Sequence, residues 1–210
     1  TFDKDDLFHI TLERALRLVS ADVGSVLLLE SAERKAFVVQ ANIGLSDVLQ
    51  LGDRIDFKDS IAKFAVINNS PILVDDIEND SRFGRERRSR YATKSFLCMP
   101  IKGSSEVFGV LTLSRRNEDT PFSQDDVTVL APLLSNAAFT YENQLLSIHD
   151  KEKTLYLDVM EKILRVINSS MQGTEFFKAI LTEIRGVIPF DMALILVRDD
   201  TTADTVSILD

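Results

Sequence analysis

Apolar residues near the start of the chain recur at the spacing of an α-helix. Phe8, Leu12, Leu16 and Val19 are separated by four or three positions, so they line one face of a helix over residues 7–20. Polar residues fill most of the positions between them. The pattern predicts an amphipathic helix that packs its apolar face on a core.

Short apolar runs bounded by turn residues follow this helix, and they predict a sheet. The predicted strands span residues 25–30, 36–41, 72–74, 95–101 and 107–113. A short helix is predicted over 60–69, where Ser60 can cap the start and Pro71 prevents continuation. Residues 43–59 and 75–94 are predicted loops. This order of elements favours an α+β fold, with a central antiparallel sheet and flanking helices.

Helical periodicity returns at Ser123 and persists to Val166. One apolar stripe runs along this segment, formed by Leu130, Leu134, Ala137, Tyr141, Leu145, Ile148, Leu155, Val159, Ile163 and Val166. A helix of about 40 residues is about 60 Å long, more than one domain of this size can cover. The stripe therefore predicts a partner helix from a second chain, parallel or antiparallel. Pro132 is expected to kink the helix or to delay its beginning.

The end of the chain repeats the pattern of its beginning. A shift of 168 positions places Phe8 on Phe176 and Leu12 on Ile180, and it also superimposes the two strand patterns that follow. The repeat predicts a first domain over 1–146, a linker helix or coiled coil over 147–173, and the truncated start of a second domain over 174–210. Such a fragment has an open sheet edge, so we expect disorder or pairing with another chain. The alternative is that any amphipathic helix followed by a hairpin aligns this well.

Composition narrows the classes of partner. The formal net charge is -9, which disfavours binding to nucleic acid or to an anionic membrane. No apolar run approaches the roughly 20 residues of a membrane-spanning helix. The opening residues are polar and resemble no signal peptide. Cys98 is the single cysteine, so an internal disulfide is impossible, and we expect a cytoplasmic location.

Several segments together resemble the GAF domain family over about residues 5–146. They are Ile72–Ile77, Asp80–Phe83, Ser95–Ile101, Val107–Leu113, Phe122–Asp126 and Leu133–Asn143. The resemblance implies a central antiparallel sheet, terminal helices on one face, and a ligand pocket on the other face walled by 60–69 and 75–94. Residues 174–210 resemble the start of another GAF domain.

The resemblance also implies a function. We expect a regulatory module of a signal-transduction protein that senses a small molecule, dimerises through its terminal helices and passes the signal to an effector domain. The alternative is a structural dimerisation spacer without a ligand. An enzyme ranks last, because no nucleophile–base pair, carboxylate dyad or metal set stands out in the sequence.

The family's cyclic-nucleotide signature is incomplete. Its Asn, Lys, Phe, Asp and Glu positions read Arg115, Arg116, Phe122, Asp126 and Val127. Because the Asn and Glu are lost, cyclic-nucleotide binding is not supported. We interpret Arg116 and Asp126 as a scaffold ion pair, or Asp126 as a helix cap beside Ser123.

Cofactor chemistry finds little support in the sequence. A bilin needs a thiol at the pocket rim, whereas Cys98 lies inside a predicted strand, far in sequence from His9 and His149. Family members that reduce free methionine sulfoxide use several cysteines. We interpret Cys98 as a core residue and the carboxylates of Asp75, Asp76 and Asp80 as turn caps. The sequence gives no support for haem, bilin or metal, and it leaves the cofactor unknown.

One segment is strongly basic, and it contains Arg82, Arg85, Arg87, Arg88, Arg90 and Lys94. It is either a lid that recognises an anionic ligand or a solvated charged surface. The candidate ligand-binding residues are Ile61, Phe64, Ala65, Asp76, Phe83, Arg85, Arg88, Tyr91, Phe96, Cys98 and Thr112. The candidate dimer-interface residues are Phe8, Leu12, Tyr141, Leu145, Ile148, Leu155, Val159 and Ile163.

Overall fold

The structure is a computed structural model with two compact units, Thr1–Gln144 and Leu145–Asp210. It describes residues 4–30, 36–47, 49–76, 79–83, 95–115, 121–168, 174–186, 190–194, 196–198 and 206–208. We call Thr1–Gln144 the first unit and Leu145–Asp210 the second unit, and we describe each by itself.

The first unit is built on a six-stranded antiparallel sheet. Its elements are α1 (Lys4–Leu18), β1 (Val23–Leu29), β2 (Ala36–Ile43), β3 (Arg54–Asp56), α2 (Ala62–Asn68), β4 (Ile72–Val74), β5 (Phe96–Lys102), β6 (Val107–Ser114) and the beginning of α3 (Gln124–Ile167). The strand order is β3-β2-β1-β6-β5-β4. The predicted α+β class and the antiparallel sheet are confirmed.

Strand β3 was missed by the sequence analysis, which predicted a loop over 43–59. Three residues are too few to show a two-residue alternation. Backbone hydrogen bonds join β2 to the residues that lead into β3. The Val39 N–H donates to the Asp53 carbonyl over 3.0 Å, and the Gly52 N–H donates to the Val39 carbonyl over 2.9 Å. Pairing with β2 thus forms a strand where side-chain pattern gives no signal.

Side chains along each strand alternate between the two faces of the sheet. Both faces are buried, because each one packs against helices. One face packs with α1 and α3, and we call this the first core. Its members include Phe8, Leu12, Val26, Leu28, Leu97, Met99, Ile101, Leu111, Leu113, Leu130, Leu134 and Ala138. The other face packs with α2, and we call this the second core. Its members are Val23, Leu27, Phe37, Val39, Leu45, Leu49, Ala62, Ala65, Ile72, Val74, Cys98 and Val110.

The interface prediction is wrong for two residues. Phe8 and Leu12 are each 0% exposed inside the first core of a single chain. The apolar face of α1 covers the sheet of its own unit, so these side chains have no surface left for a second chain.

Helix α3 begins at Gln124, although Pro132 lies within it. The start is fixed by a reciprocal cap, since the Ser123 N–H donates to Asp126 Oδ2 over 2.7 Å and the Asp126 N–H donates to the Ser123 hydroxyl over 3.4 Å. The predicted capping role of Asp126 is confirmed, and Pro132 does not delay the beginning of the helix.

The second unit contains the rest of α3, followed by α4 (Thr174–Arg185), β7 (Leu196–Arg198) and β8 (Val206–Ile208). This helix–strand–strand order matches α1, β1 and β2, as the repeat predicts. The register differs: β1–β2 pairs Leu28 with Val38, and the same shift would pair Leu196 with Val206, whereas Leu196 pairs with Ile208. A second domain of the same kind stays a prediction.

Replacing Gly109 with alanine is expected to cost about 3 kcal/mol or more of unfolding free energy. A Cβ at this position would lie 2.1 Å from the Leu27 carbonyl oxygen, so β1 and β6 would have to separate. The control is Gly52→Ala, whose Cβ meets nothing within 4 Å and whose φ of +84° adds strain of about 1–2 kcal/mol. Urea unfolding measures both, and equal costs would contradict the prediction.

Candidate functional site

Helix α2 covers the second core and forms one wall of the candidate site. The Ser60 hydroxyl accepts from the Ala62 N–H over 3.2 Å at its start. At its end, Asn69 adopts a left-handed conformation with φ 47°. There the Ser70 N–H donates to the Ala65 carbonyl over 3.2 Å, which closes the helix. The predicted short helix is confirmed, and Ala62 and Ala65 face the sheet.

Most of the predicted ligand-binding residues that the structure describes converge on this face. Those packed in or against the second core are Ile61, Phe64, Ala65, Phe83, Phe96 and Cys98. Thr112 shares the face, since it lies two positions after Val110 on β6. Arg85, Arg88 and Tyr91 lie outside the described residues. Ligand binding by these residues stays a prediction.

Asp76 is placed differently. Its carboxylate accepts a hydrogen bond from the Asn79 side chain over 2.8 Å, in the turn that follows β4. This contact fits the interpretation of the carboxylate as a turn cap.

Two hydroxyl groups lie among the apolar side chains of the candidate site. Ser25 and Thr112 are directly opposite on β1 and β6, and their hydroxyl oxygens are 2.7 Å apart. Ser25 is 1% exposed. Thr112 was predicted from the sequence, whereas Ser25 was not. Ser25 begins the predicted strand and has Val23 and Leu27 on the same face. The sequence signal for Ser25 is a polar residue within an apolar run.

The described start of the 75–94 loop is anchored by Arg82 and Phe83. The Phe83 ring lies 5.3 Å from the ring of Phe64 on α2 in an edge-to-face arrangement. The Arg82 guanidinium lies 2.6 Å from Asp80 and donates to the Leu73 carbonyl on β4 over 2.8 Å. Its hydrogen bonds lower the pKa of the Asp80 carboxyl. Arg82 thus holds the loop to the sheet. The other basic residues of the segment lie outside the described residues, so the anion lid stays a prediction.

Cys98 is buried in the second core with 0% exposure, as the core interpretation predicts. Burial raises the pKa of its thiol to about 12. The thiol is therefore neutral at ordinary pH and is neither a nucleophile nor a ready attachment point.

Asp126 forms an ion pair with Arg115, whose guanidinium lies 3.0 Å from its carboxylate. The predicted partner, Arg116, lies outside the described residues, so the Arg116–Asp126 pair stays a prediction. Arg115 also donates to the Val19 carbonyl after α1 and to the Pro121 carbonyl before α3, over 2.7 and 3.2 Å. Its guanidinium lies 4.3 Å from the centre of the Phe122 ring.

Strand parity explains why Arg115 reaches Asp126. Leu111 and Leu113 point from β6 into the first core, and Arg115 continues the same parity past the strand end. Arg115 therefore points toward the helices, and the charge that joins α1, β6 and α3 comes from the position that is Asn in the family's cyclic-nucleotide signature.

An antiparallel sheet with terminal helices on one face and a short helix on the other defines an α+β domain. The chain belongs to the GAF domain family, whose sequence model matches residues 3–142. GAF domains are regulatory sensing modules of signalling proteins, where they commonly accompany effector domains and bind small molecules.

Curated relatives include two phosphodiesterases. The chain is 28% identical to "Dual 3',5'-cyclic-AMP and -GMP phosphodiesterase 11" of Drosophila melanogaster over 211 positions, which cover 90% of this chain and 14% of the relative. It is 26% identical to phosphodiesterase 11A of Takifugu rubripes, over 80% of this chain and 19% of the relative. The chain thus spans less than a fifth of these relatives' length.

Solved structures share the fold. The GAF-B domain of DevS from Mycobacterium smegmatis superimposes with a TM-score of 0.55 at 19% identity, covering 71% of this chain and 99% of that one. The GAF domain of a two-component sensor histidine kinase from Bacillus halodurans gives 0.57 at 23% identity, covering 70% and 99%.

None of the helices in the described residues is sufficiently long and apolar to cross a membrane. Among the same residues, no three His, Cys, Asp or Glu side chains are grouped as metal ligands.

Replacing Arg115 with methionine is expected to lower the unfolding free energy by about 3 kcal/mol. The change removes the cation beside Asp126 and the donors to the Val19 carbonyl. The control is Arg54→Met, which breaks an exposed ion pair with Glu30 and should cost less than about 1 kcal/mol. Urea denaturation measures both losses; an Arg115 variant as stable as the Arg54 variant would refute the prediction.

The Cys98 thiol is expected to react with an aromatic disulfide at least about 1,000 times more slowly in the folded protein than in urea. Its folded pKa of about 12 exceeds the value of about 8.5 for a free thiol. Because the folded state holds this proton more tightly, the stability contribution is full below about pH 8.5 and is lost as the pH rises toward 12. Fast labelling of the folded protein at pH 8 would contradict this prediction, because it would show that the second core is open to water at Cys98.

Proposed function

We propose that this chain is a regulatory small-molecule-sensing and dimerisation module of a larger signalling protein. The observation that carries the proposal is the second face of the sheet. There an aromatic pair, a short helix and two hydroxyl groups meet on an apolar surface. Such a surface suits a small, largely apolar molecule with one hydrogen-bonding group.

A binding role is proposed here in preference to catalysis. The hydroxyls of Ser25 and Thr112 are bonded to each other, and the thiol of Cys98 is held neutral by burial. Hydroxyls bonded to each other and a neutral thiol are not activated nucleophiles, which favours binding over catalysis. The cyclic-nucleotide chemistry in the relatives' names is not carried over, because Arg115 is committed to α1 and α3.

Dimerisation is proposed through α3. Eight large apolar side chains of α3 beyond Gln144 are 40–67% exposed, and they are Leu145, Leu146, Ile148, Leu155, Tyr156, Leu157, Met160 and Leu164. Half-exposed side chains of this size offer together roughly 240–480 Å² of apolar area per chain. The upper value approaches the roughly 500 Å² of apolar area that each partner contributes to a standard interface. The predicted interface residues Leu145, Ile148 and Leu155 belong to this surface, while Val159 and Ile163 are partly buried.

Tyr141 belongs elsewhere. It packs against the first core and touches the rings of Phe8 and Phe108, with centroids 5.1 and 5.2 Å apart. We therefore propose that the dimer contact begins after it, at Leu145.

A second candidate, a structural spacer without a ligand, is favoured by one observation. Ala65, Cys98 and Val110 are each 0% exposed, so the second core is tightly filled where they meet. Native mass spectrometry of protein taken directly from cytoplasmic extract, the compartment we propose, separates the two candidates. A copurified small molecule supports sensing, and a dimer of bare chains supports the spacer.

Replacing Leu155 with aspartate is expected to weaken the dimer at least about 100-fold. Each dimer would lose the burial of two leucine side chains. The two aspartate carboxylates in their place would be costly to bury at the interface. The control is Leu51→Asp, which changes a 65% exposed residue of the 43–59 segment. Sedimentation equilibrium from 1 to 100 μM measures both, and a monomeric parent protein would overturn the dimer proposal.

A further inference from the structure

The turn between β5 and β6 is bonded to α3 near the end of the first unit. The backbone N–H of Ser104 donates to both carboxylate oxygens of Glu142, over 3.2 and 3.1 Å, and the Ser104 hydroxyl donates to Glu142 Oε1. The first unit ends two residues later, at Gln144. Glu142 is thus one of the last residues that bond α3 to this domain.

Aromatic contacts reinforce the bond. Tyr141, the neighbour of Glu142, meets the rings of Phe108 on β6 and Phe8 on α1 edge-to-face. Burial and the charge of Glu106 raise the pKa of the Tyr141 phenol, which therefore stays neutral at ordinary pH. Helix α3 is fixed here to both the hairpin and α1.

The turn itself has little room to move. A Cβ on Gly103 would lie 2.4 Å from the Phe108 ring and 3.3 Å from a carboxylate oxygen of Glu142. The Gly103 N–H donates to the Glu106 carbonyl over 2.9 Å and closes the turn. A displacement of the hairpin must therefore carry Glu142 with it or break the Ser104–Glu142 contact.

The same hairpin carries the candidate site on its other face. Phe96, Cys98, Val110 and Thr112 point from β5 and β6 toward the second core. The two strands are paired from Phe96–Ser114 to Lys102–Val107. Because a close-packed interior is hardly compressible, a displacement imposed on one face of these strands moves the strands as a whole.

We propose that the Ser104–Glu142 contact transmits displacement of the β5–β6 hairpin to the exposed part of α3. This inference rests on the proposed function, since the signal is occupancy of the candidate site. The helix from Glu142 to Ile167 is about 38 Å long at 1.5 Å per residue. A small tilt at Glu142 therefore becomes a larger movement along that helix.

The first test removes the contact. Hydrogen exchange, followed by mass spectrometry on the full chain, compares Glu142→Ala with Glu152→Ala, an exposed control on the same helix. Glu142→Ala is expected to speed exchange about three- to tenfold in residues 103–106 and 139–147, because charge-assisted bonds are lost. Residues 124–134 and the control should be unchanged. Equal exchange in the two variants would overturn the proposal.

The second test applies a displacement without a ligand. Cys98→Val adds bulk to the site face of β5, and Thr112→Val removes a hydroxyl from β6 with little change of shape. Either variant is expected to change exchange in residues 139–150 at least about twofold when Glu142 is present, and to have no such effect in the Glu142→Ala background. An effect that persists without Glu142, or is absent with it, overturns the transmission contact. Failure to find a copurified ligand would overturn the sensing function alone.

Discussion

The need to cover both faces of the β1–β6 pair is the constraint on which the rest of the fold depends. These central strands are buried along nearly their whole length, and their backbones approach so closely at Gly109 that no side chain fits there. Each face must be covered by something, because exposed apolar strands would be unstable in water. Helices α1 and α3 cover one face. The other face is covered by α2 together with Leu45, Leu49 and Phe83 from the flanking loops. Any ligand on the second face must therefore compete with core packing.

The ends of the elements on the first face are joined by charge as well as by apolar contact. Arg115 connects the chain after α1, the end of β6 and the start of α3, and its side chain is only 9% exposed. A buried cation costs free energy unless every donor is used, so the arrangement tolerates little movement. The start of α3 is thus joined by charge to β6 and to the chain after α1.

Sequence pattern predicted most of the elements of this fold. Apolar runs bounded by turn residues located the long strands, and a period of 3.6 located the helices, because burial follows the backbone geometry. The pattern could not locate β3, which is defined by backbone pairing. It also misassigned Phe8 and Leu12, because an apolar helical face packs equally well on its own sheet or on another chain. In the candidate site, aromatic and small residues were predictable, whereas Ser25 depended on strand register. The direction of the Arg115 side chain could have been predicted by extending the two-residue alternation of Leu111 and Leu113. Motif alignment alone does not include that step.

Among the described residues, the outermost strands, β3 and β4, are three residues long. Strands this short offer too few backbone groups to recruit another strand. Lateral growth of this sheet is consequently disfavoured in the folded first unit. An assembly made through side chains on helices instead encodes its specificity residue by residue.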